Sequence, residues 1–422
     1  MADSAPPPSK RPKTSPLAAA ALSANRGPPP PTFAPITDAA RQNTIQALPT
    51  PLCMVTCRQG AVPHLMPDVL AQVQRSVAAA VGGGGAAQPL LLQVPMLDLW
   101  HKPEHSVLSG KGGTLAEFCG LASNPTLLTA QRPGAWAFGG ASTGDYTSGD
   151  TERGLERLSP KAWAALALAA RAGGFEALSD HVASASTRRD RIEKSVARTA
   201  SWLDECCAAT GDGRAGERWG AVQGAGLEAQ RVKCAAEVAK RDVAGFVLSS
   251  FGTGESADER ACLLSAVIAQ LPAAKPRIIC GMDSPEEIFA LVDMGVDAFE
   301  GTYPFMLAEL GFAQVDAVDP AAEGAEGAAE QSGPLKLSLH DTQFAEDLRP
   351  LLPGCCCPAC DKHSRAYIHH LLRTHEMLGI VLLTAHNLHR HLLLFETMRR
   401  NIAAGTWAEY KQRWLAARGR GS

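Results

Sequence analysis

The sequence lacks any run of apolar residues long enough to cross a bilayer, and its longest candidate, residues 378–383, fits a short buried segment. It has no apolar secretory segment near residue 1, so its thiols are expected to stay reduced in the cytosol. An excess of positive charge is missing too: the formal net charge is −3, which excludes a broadly basic nucleic-acid binder. A soluble cytoplasmic protein is expected, whose RNA contacts come from a local patch or a partner subunit.

The length of 422 residues allows a substantial core, and barrels of this size routinely form one domain. Residues 1–40 are rich in proline and alanine, a composition that buries too little apolar surface to offset the entropy of ordering. We predict a disordered tail there and a folded unit over residues 41–422. Low-complexity stretches at residues 82–85 and about residues 316–335 are predicted to be surface insertions.

Short apolar runs alternate with longer amphipathic ones along the folded part. Strands are predicted at residues 90–94, 219–222, 245–248 and 277–280 and from residue 298. Helices are predicted at residues 162–170, 192–208, 227–240, 258–270 and 285–294, the last opened by Ser284 as N-cap. This α/β alternation indicates a parallel sheet covered by helices, either a (β/α)8 barrel or a doubly wound sheet. The absence of a glycine-rich dinucleotide fingerprint favours the barrel.

Four cysteines crowd into residues 355–360, and His386 follows. Cys355, Cys357 and Cys360 with His386 give the spacing C-x-C-x2-C-x25-H. Three thiolates and one imidazole complete a tetrahedral shell, so the pattern predicts one structural Zn²⁺ rather than a catalytic metal. A chance cluster or a strained disulfide is the alternative. Cys356 could replace a neighbouring ligand, and further candidates lie close by; spacing alone does not choose among them. These candidates are His363, His369, His370, His375 and His389.

A second pattern follows the cysteines: Arg365, Tyr367, His370 and Leu371 match Arg-x-Tyr-x-x-His-Leu, and His386 is followed by Asn387. This combination resembles the zinc subdomain of tRNA-guanine transglycosylases. The resemblance implies a (β/α)8 TIM-type barrel with an inserted C-terminal zinc-binding subdomain at about residues 350–400. It also implies that Cys355, Cys357, Cys360 and His386 are the zinc ligands.

The resemblance extends upstream to about residue 50. Asp180 falls where the family has a base-recognising aspartate, and Gln223, in Val-Gln-Gly, matches a glutamine that reads the base. Either residue could still bind a nucleobase, or it could be a relic, a residue without that function whose polar groups bond the barrel loops. The relic is the more frequent case, because binding without the family's backbone pocket should be weak.

The family's catalytic pattern fails in residues 297–306. Glu300 stands in place of the nucleophilic aspartate, and Phe305-Met306 replace Thr-Arg. A glutamate reaches one methylene further, which misplaces a nucleophile that must sit about 3–3.5 Å from its target. Glu300 could act as the nucleophile in place of the aspartate, but an ordinary solvated or paired carboxylate is the more frequent case. Glu309, in place of a later arginine, is expected to repel phosphate.

Two further motifs are damaged. The family's Gly-Gly-Leu, whose backbone touches the base, is here Ser249-Ser250-Phe251, so side chains stand where close backbone approach is needed. The acid–base motif Asp-Ser-Gly-Gly-Phe-Gln has no counterpart in residues 99–121, where we expected it.

Together these features resemble a non-catalytic member of the family. That resemblance implies a heterodimer with a catalytic queuine tRNA-ribosyltransferase subunit, which exchanges guanine for queuine at wobble position 34 of tRNAs with GUN anticodons. Dimer contacts around the zinc subdomain, tRNA binding and a peripheral association with the mitochondrial outer membrane are further implications; no anchor supports the last. A self-sufficient transglycosylase using Glu300 and a zinc-stabilised scaffold without a tRNA role are the alternatives.

The C-terminal segment is both aromatic and basic. We expect it either to contact tRNA or the partner, or to pack on the barrel through one face, and the sequence does not separate the two. The residues concerned are Arg399, Arg400, Trp407, Tyr410, Lys411, Arg413 and Trp414.

Overall fold

The computed structural model describes residues 41–82, 87–110, 113–132, 138, 142–182, 187–211, 213–315 and 335–419. The tail predicted to be disordered, residues 1–40, lies outside these residues. So do residues 83–85 of the glycine stretch and residues 316–334 of the predicted insertion.

Eight parallel strands close into a barrel in which each strand pairs with the next one along the chain and the last pairs with the first. A hairpin of β1 (Thr44–Ile45) and β2 (Leu48–Pro49) precedes them. The barrel strands are β3 (Leu52–Thr56), β4 (Leu92–Pro95), β5 (Thr126–Thr129), β8 (Gly174–Glu176), β9 (Glu217–Val222), β10 (Gly245–Leu248), β11 (Arg277–Ile279) and β12 (Ala298–Gly301). Closure confirms the predicted (β/α)8 barrel and rules out the doubly wound sheet.

Two further antiparallel hairpins lie outside the barrel: β6 (Thr147–Thr151) with β7 (Gly154–Leu158), and β13 (Phe312–Gln314) with β14 (Lys336–Ser338). The helices before β12 are α1 (Pro67–Ala80), α2 (His105–Gly110), α3 (Leu115–Phe118), α4 (Pro160–Ala170), α5 (Arg189–Ala209), α6 (Glu228–Ala239), α7 (Ala257–Ile268) and α8 (Pro285–Asp293). Those after β12 are α9 (Tyr303–Glu309), α10 (Pro358–Lys362), α11 (Arg365–Arg373), α12 (Met377–Ala403) and α13 (Trp407–Gly419).

The predicted strands and helices are confirmed, with ends shifted by three residues or fewer. Ser284 occupies the N-cap position of α8 as expected, and its side chain makes no capping bond to a helix N–H. Its hydroxyl donates to the Glu287 carboxylate at 2.8 Å instead of accepting a helix N–H. The carboxylate one turn into the helix is the stronger acceptor available to that hydroxyl.

The barrel interior is a packed core rather than a pore. A ring of apolar side chains, mostly from the first half of each strand, fills its lower part, and a residue of β1 joins the ring from below. The members are Ile45, Leu52, Met54, Leu91, Leu127, Trp219, Val247, Ile278 and Ala298. Above this ring, buried polar side chains such as Glu176 and Glu300 lie at the carboxyl ends of the strands.

A separate, smaller apolar cluster supports the cysteine region. It draws on α9 and the β13–β14 hairpin as well as on α11 and α12, so this subdomain is tied to the barrel's last strand–helix unit. Its buried members are Ala308, Ala313, Leu339, Phe344, Leu351, Cys357, Ala359, Ile368, Leu371, Leu372, Leu382 and Leu383.

The aromatic side chains of α13 pack on the barrel. Trp407 and Trp414 stack on Phe289 of α8, with ring centroids 5.4 and 4.1 Å apart. Lys411 pairs with Asp293 at the end of α8. This face of the C-terminal segment therefore serves packing. Among the described residues, no helix combines the length and the apolar character needed to cross a membrane.

Candidate metal centre and nucleobase site

The four predicted ligands come together although His386 lies 26 positions after Cys360 in the sequence. Their donor atoms all lie within 4.8 Å of one another. The sulfurs of Cys355, Cys357 and Cys360 are 3.8, 3.4 and 3.4 Å from Nδ1 of His386. In a tetrahedral zinc site, bonds of about 2.3 Å to sulfur and about 2.0 Å to nitrogen place these atoms about 3.5 Å apart. The spacing and the donor set therefore fit a Zn²⁺ ion.

Local structure positions each ligand. Cys357 caps α10, where its sulfur accepts the N–H of Cys360 at 3.3 Å, so the turn of the helix brings these two thiols side by side. His386 lies in the middle of α12 and is fully buried. Its Nε2 is 2.8 Å from the carbonyl oxygen of Gln314. That bond requires a proton on Nε2, which leaves the Nδ1 lone pair directed at the sulfurs in the neutral ring.

The other candidate ligands are placed elsewhere. The Cys356 sulfur turns away and contacts the Ser76 carbonyl at 3.4 Å. His369 bonds the Leu339 carbonyl through Nδ1, and His363 stacks on Tyr367. The arrangement thus selects among the candidates that spacing left open.

One further histidine borders the cluster from outside. His389 contributes to lowering the pKa of the Cys355 thiol, while its Nδ1 is 2.8 Å from the Ser76 hydroxyl. It does not belong to the cluster of four donor atoms.

The ligand cluster favours ionised sulfur even without a metal. Hydrogen bonds from the Cys357 and Cys360 thiols hold the pKa of Cys355 well below its usual range. The pKa of Cys357 is raised in turn, because its proton is shared with the neighbouring sulfurs. Burial lowers the pKa of His386, but hydrogen bonds to Cys355 and Cys360 outweigh it and raise that pKa to about 10. A cation at the centre would replace these shared protons.

A second cluster of polar residues lies at the carboxyl ends of the barrel strands. Asp180 follows β8 and is fully buried. Its two oxygens accept hydrogen bonds from Arg191 at 2.6 and 2.7 Å and from Arg198 at 3.0 Å. Both arginines lie on α5, Arg191 in its first turn and Arg198 in its third, and both face the end of the strand. The carboxylate that the resemblance associates with base recognition is thus occupied by the chain's own guanidinium groups.

Gln223, at the end of β9, is occupied as well. Its Nε2 is 3.1 Å from Ser179 Oγ and 3.1 Å from His181 Nδ1, and its Oε1 accepts the Ser250 hydroxyl at 2.8 Å. Phe138 stacks on the His181 ring with centroids 4.4 Å apart. Burial lowers the pKa of His181 to about 4, so this ring is neutral near pH 7.

Arg231 of α6 holds the loop where the family's glycines are replaced. Its guanidinium donates to the carbonyls of Ala225, Ser249 and Ser250 at 2.5, 3.0 and 2.7 Å. It also lies 3.7 Å above the Phe251 ring. Ser250 adopts a left-handed φ of 57°, which non-glycine residues rarely do, so these bonds keep a strained backbone in place.

Sequence reasoning missed Arg231, although a signal was present. It shares the buried face of α6 with Cys234, Ala235 and Val238, at the spacing i, i+3, i+4 and i+7. A lone arginine on an apolar stripe indicates a buried guanidinium with carbonyl partners. The helix also comes very close to Gly224, where a Cβ would lie 2.5 Å from the Arg231 backbone nitrogen.

Glu300, at the end of β12, is 2% exposed, so of the solvated or paired carboxylate that was expected, the structure excludes the solvated form. Oε1 accepts the Thr302 hydroxyl at 2.6 Å, and Oε2 accepts the Gly281 N–H at 3.0 Å. Asp283 beside it accepts the N–H groups of Thr302 and Tyr303. Burial raises the pKa of Asp283 well above its usual range, and the Glu300 charge adds to the rise.

Glu309 lies at the rim, on α9. It is partly exposed and pairs with Arg58 at 3.0 Å and with His64 at 3.2 Å. The positive charge of Arg58 offsets the repulsion of phosphate that is expected from Glu309.

The segment 99–121, where an acid–base motif was expected, forms α2 and α3 rather than the end of a barrel strand. The strand that follows it, β5, ends at Thr129, and the N–H of the next residue, Ala130, donates to Glu176 Oε2 at 2.8 Å. Glu176 is buried at the end of β8, and burial raises its pKa to about 7. This carboxyl was not singled out from the sequence.

Comparison with known proteins gives a consistent result. A sequence profile of the family described as Queuine tRNA-ribosyltransferase matches residues 167–420. Three relatives named Queuine tRNA-ribosyltransferase accessory subunit 2 align over most of the chain. The Danio rerio protein is 30% identical, covering 88% of this chain and 93% of the relative. Those of Gallus gallus and Ixodes scapularis are 31% and 32% identical, each over 84% of this chain and over 87% and 90% of the relative. The chain belongs to the queuine tRNA-ribosyltransferase family.

Proposed function

We propose that this protein is the non-catalytic subunit of a heterodimeric queuine tRNA-ribosyltransferase. Its catalytic partner would exchange guanine for queuine at wobble position 34 of tRNA, and this chain would support the partner and bind tRNA. One observation carries the non-catalytic part: the polar side-chain groups of Asp180, Gln223 and Glu300 are bonded within the chain. The relatives' names support the accessory role.

Glu300 is a poor nucleophile in this arrangement. An attacking carboxylate oxygen must approach C1′ of the ribose to about 3–3.5 Å as the base departs. Here one oxygen is held by the Thr302 hydroxyl and the other by the Gly281 N–H. Each hydrogen bond stabilises the anion and directs its lone pairs into the protein. Attack would require breaking at least one of them inside a buried site.

We propose that Cys355, Cys357, Cys360 and His386 hold one structural Zn²⁺. Four protein donors leave no coordination position for water or substrate, so the ion would supply folding energy rather than Lewis-acid chemistry. The donor spacing and the Gln314 carbonyl behind His386 support this assignment.

The proposed partner surface lies on the same subdomain, which exposes four large apolar side chains. Leu348 is 82% exposed and Met377 81%, and Tyr367 and Leu378 are also exposed. Leu348 lies beside the start of α11, because the preceding residue, Asp347, bonds the N–H of Ala366 through its carbonyl. Exposed apolar residues gathered on one subdomain are typical of a protein interface. We call these four residues the apolar surface.

Base exchange on tRNA with a guanine at the wobble position tests the proposal. Labelled queuine or guanine is supplied to this chain alone, to the catalytic homologue alone and to both. We expect incorporation only with both proteins, and an unchanged rate when this subunit carries E300Q. Turnover by this chain alone that E300Q abolishes would establish Glu300 as a nucleophile and overturn the non-catalytic assignment.

Location in the cytoplasm, with peripheral binding at the mitochondrial outer membrane, is also part of the proposal. It rests on the family resemblance. Fractionation of cells expressing the tagged chain would test it: the protein should be released from mitochondria by salt or carbonate, as a peripheral protein is.

A further inference from the structure

Strand β13 has two edges with different partners. Ala313 and the residues that flank the strand, Gly311 and Val315, face β14. The Val315 N–H donates to the Leu335 carbonyl at 3.0 Å, and the Gly311 carbonyl accepts the Leu339 N–H at 2.9 Å. In a strand, the N–H and C=O of one residue point to the same side, and successive residues alternate. Residues 312 and 314 therefore present their backbone groups to the opposite edge, which α12 covers.

Two consecutive residues of α12 hold that edge. Asn387 Oδ1 accepts the Gln314 N–H at 2.8 Å, while His386 Nε2 donates to the Gln314 carbonyl at 2.8 Å. Asn387 Nδ2 also donates to the carbonyls of Phe312 at 2.9 Å and Pro304 at 3.3 Å. Both α12 residues are fully buried, and together they satisfy an edge that would otherwise be unpaired.

The placement of the Gln314 carbonyl matters for the metal centre. An imidazole ligand is oriented by the partner of its second nitrogen, which fixes both the tautomer and the plane of the ring. Here that partner is a carbonyl on a three-residue strand rather than on a barrel strand. A shift of β13 would leave Nε2 without its acceptor or rotate Nδ1 away from the sulfurs.

We propose that Asn387 is a positioning residue for the metal centre: it holds β13 in the register that offers the Gln314 carbonyl to His386 and so aims Nδ1 at the three sulfurs. This inference rests on the proposed zinc site. It assigns to Asn387 an organising role that precedes metal binding.

The first test compares the full-length wild-type chain with N387A and with T384V as a matched control. Thr384 is as deeply buried on the same helix, and its hydroxyl makes no hydrogen bond to any residue that the structure describes. Zinc content, the rate of zinc transfer to a chromophoric chelator and the visible spectrum of the Co²⁺-substituted chain are measured. We expect N387A to bind zinc about 10–100-fold more weakly and to alter the Co²⁺ bands, and T384V to behave like the wild type.

The outcomes separate the two claims. A wild-type chain that holds no zinc would overturn the zinc site and this inference with it. A wild-type chain with one zinc, together with N387A that transfers zinc at the wild-type rate with an unchanged Co²⁺ spectrum, would overturn the role of Asn387 alone.

A measurement on the wild type decides the question even if N387A does not fold. Hydrogen exchange of the Gln314 amide is followed in the zinc-loaded chain and after chelation. If Asn387 organises β13 before metal binds, that amide stays protected in both states. Protection that vanishes with the metal would mean that the ion organises the strand, and the proposal would be wrong.

Discussion

Both terminal nitrogens of the Arg191 guanidinium lie against the carboxylate of Asp180, at 2.6 and 2.7 Å. Arg198 adds a contact at 3.0 Å, and the carboxylate itself has no exposed surface. A bidentate arginine matches a carboxylate in the way the edge of a purine with two donors would. The chain thus satisfies this carboxylate from within.

Replacing Asp180 with alanine should lower the free energy of unfolding but leave nucleobase recognition by the heterodimer unchanged. We expect a loss of about 3 kcal/mol, the lower end of the cost of breaking a buried pair, because the two arginines keep some contact with water. Urea unfolding of the variant measures the loss, and the queuine KM of the reconstituted complex should match that of the wild type. R189A, which breaks an exposed pair with Glu193, should change stability by less than about 0.5 kcal/mol. A raised KM in D180A would show that Asp180 binds the base.

Removing one ligand should remove the metal. We expect one zinc per chain in the wild type, almost none in C360S, and wild-type content in C356S, because the Cys356 sulfur points away from the cluster. Loss of a structural ion should lower the midpoint of thermal unfolding by about 5 °C or more. Elemental analysis and calorimetry provide the measurements. Equal zinc loss in C356S and C360S would mean that Cys356 is also a ligand and that the proposed ligand set is wrong.

Arg231 should be essential to the fold of the barrel mouth. R231A leaves three carbonyls in the interior without a donor, and we expect it to destabilise the chain by about 3–5 kcal/mol. R231K should recover little, because an ammonium group does not present the guanidinium fork. K240A, which breaks an exposed pair with Glu237, serves as control and should stay within about 0.5 kcal/mol of the wild type. Denaturant midpoints at constant slope measure all three, and near-wild-type stability of R231A would contradict the expectation.

Glu176 should make stability depend on pH. Its pKa is raised from 4.5 to about 7 in the folded chain, so between these values the folded state binds a proton that the unfolded state has lost. The contribution of Glu176 to the free energy of unfolding is therefore fully present below about pH 4.5. It falls as the pH rises to about 7, by at most about 3 kcal/mol. E176Q, which keeps an acceptor for the Ala130 N–H, should flatten that slope in urea titrations between pH 5 and 7. An identical slope in both proteins would show that Glu176 ionises normally.

The apolar surface should contribute to the heterodimer. M377D and L348D place a charge on exposed positions of the metal-binding subdomain, and we expect each to weaken association with the catalytic homologue at least about tenfold. L155D is the matched control: Leu155 is 61% exposed but lies on the β6–β7 hairpin. Light scattering and titration calorimetry measure the association. If L155D weakens the association as much as M377D does, the apolar surface is not the site where the partner binds.

The sequence by itself determined those features that depend on local pattern and on donor chemistry. The period of apolar residues along 192–208 predicts α5, and the spacing of Cys355, Cys357 and Cys360 brings three sulfurs to one end of α10. Glu300, Ser249 and Ser250 likewise stand out from the sequence alone as departures from the pattern that the family resemblance implies.

Only the tertiary structure decided what each polar group binds. Asp180 meets Arg191 and Gln314 meets His386 because the barrel brings strand ends and a distant helix together, over 72 residues in the second case. The carboxyl group of Glu300 lies in a buried corner for the same reason. Helical and strand periods are properties of neighbouring residues, whereas hydrogen-bond partners depend on how the elements pack, and no local pattern contains that information.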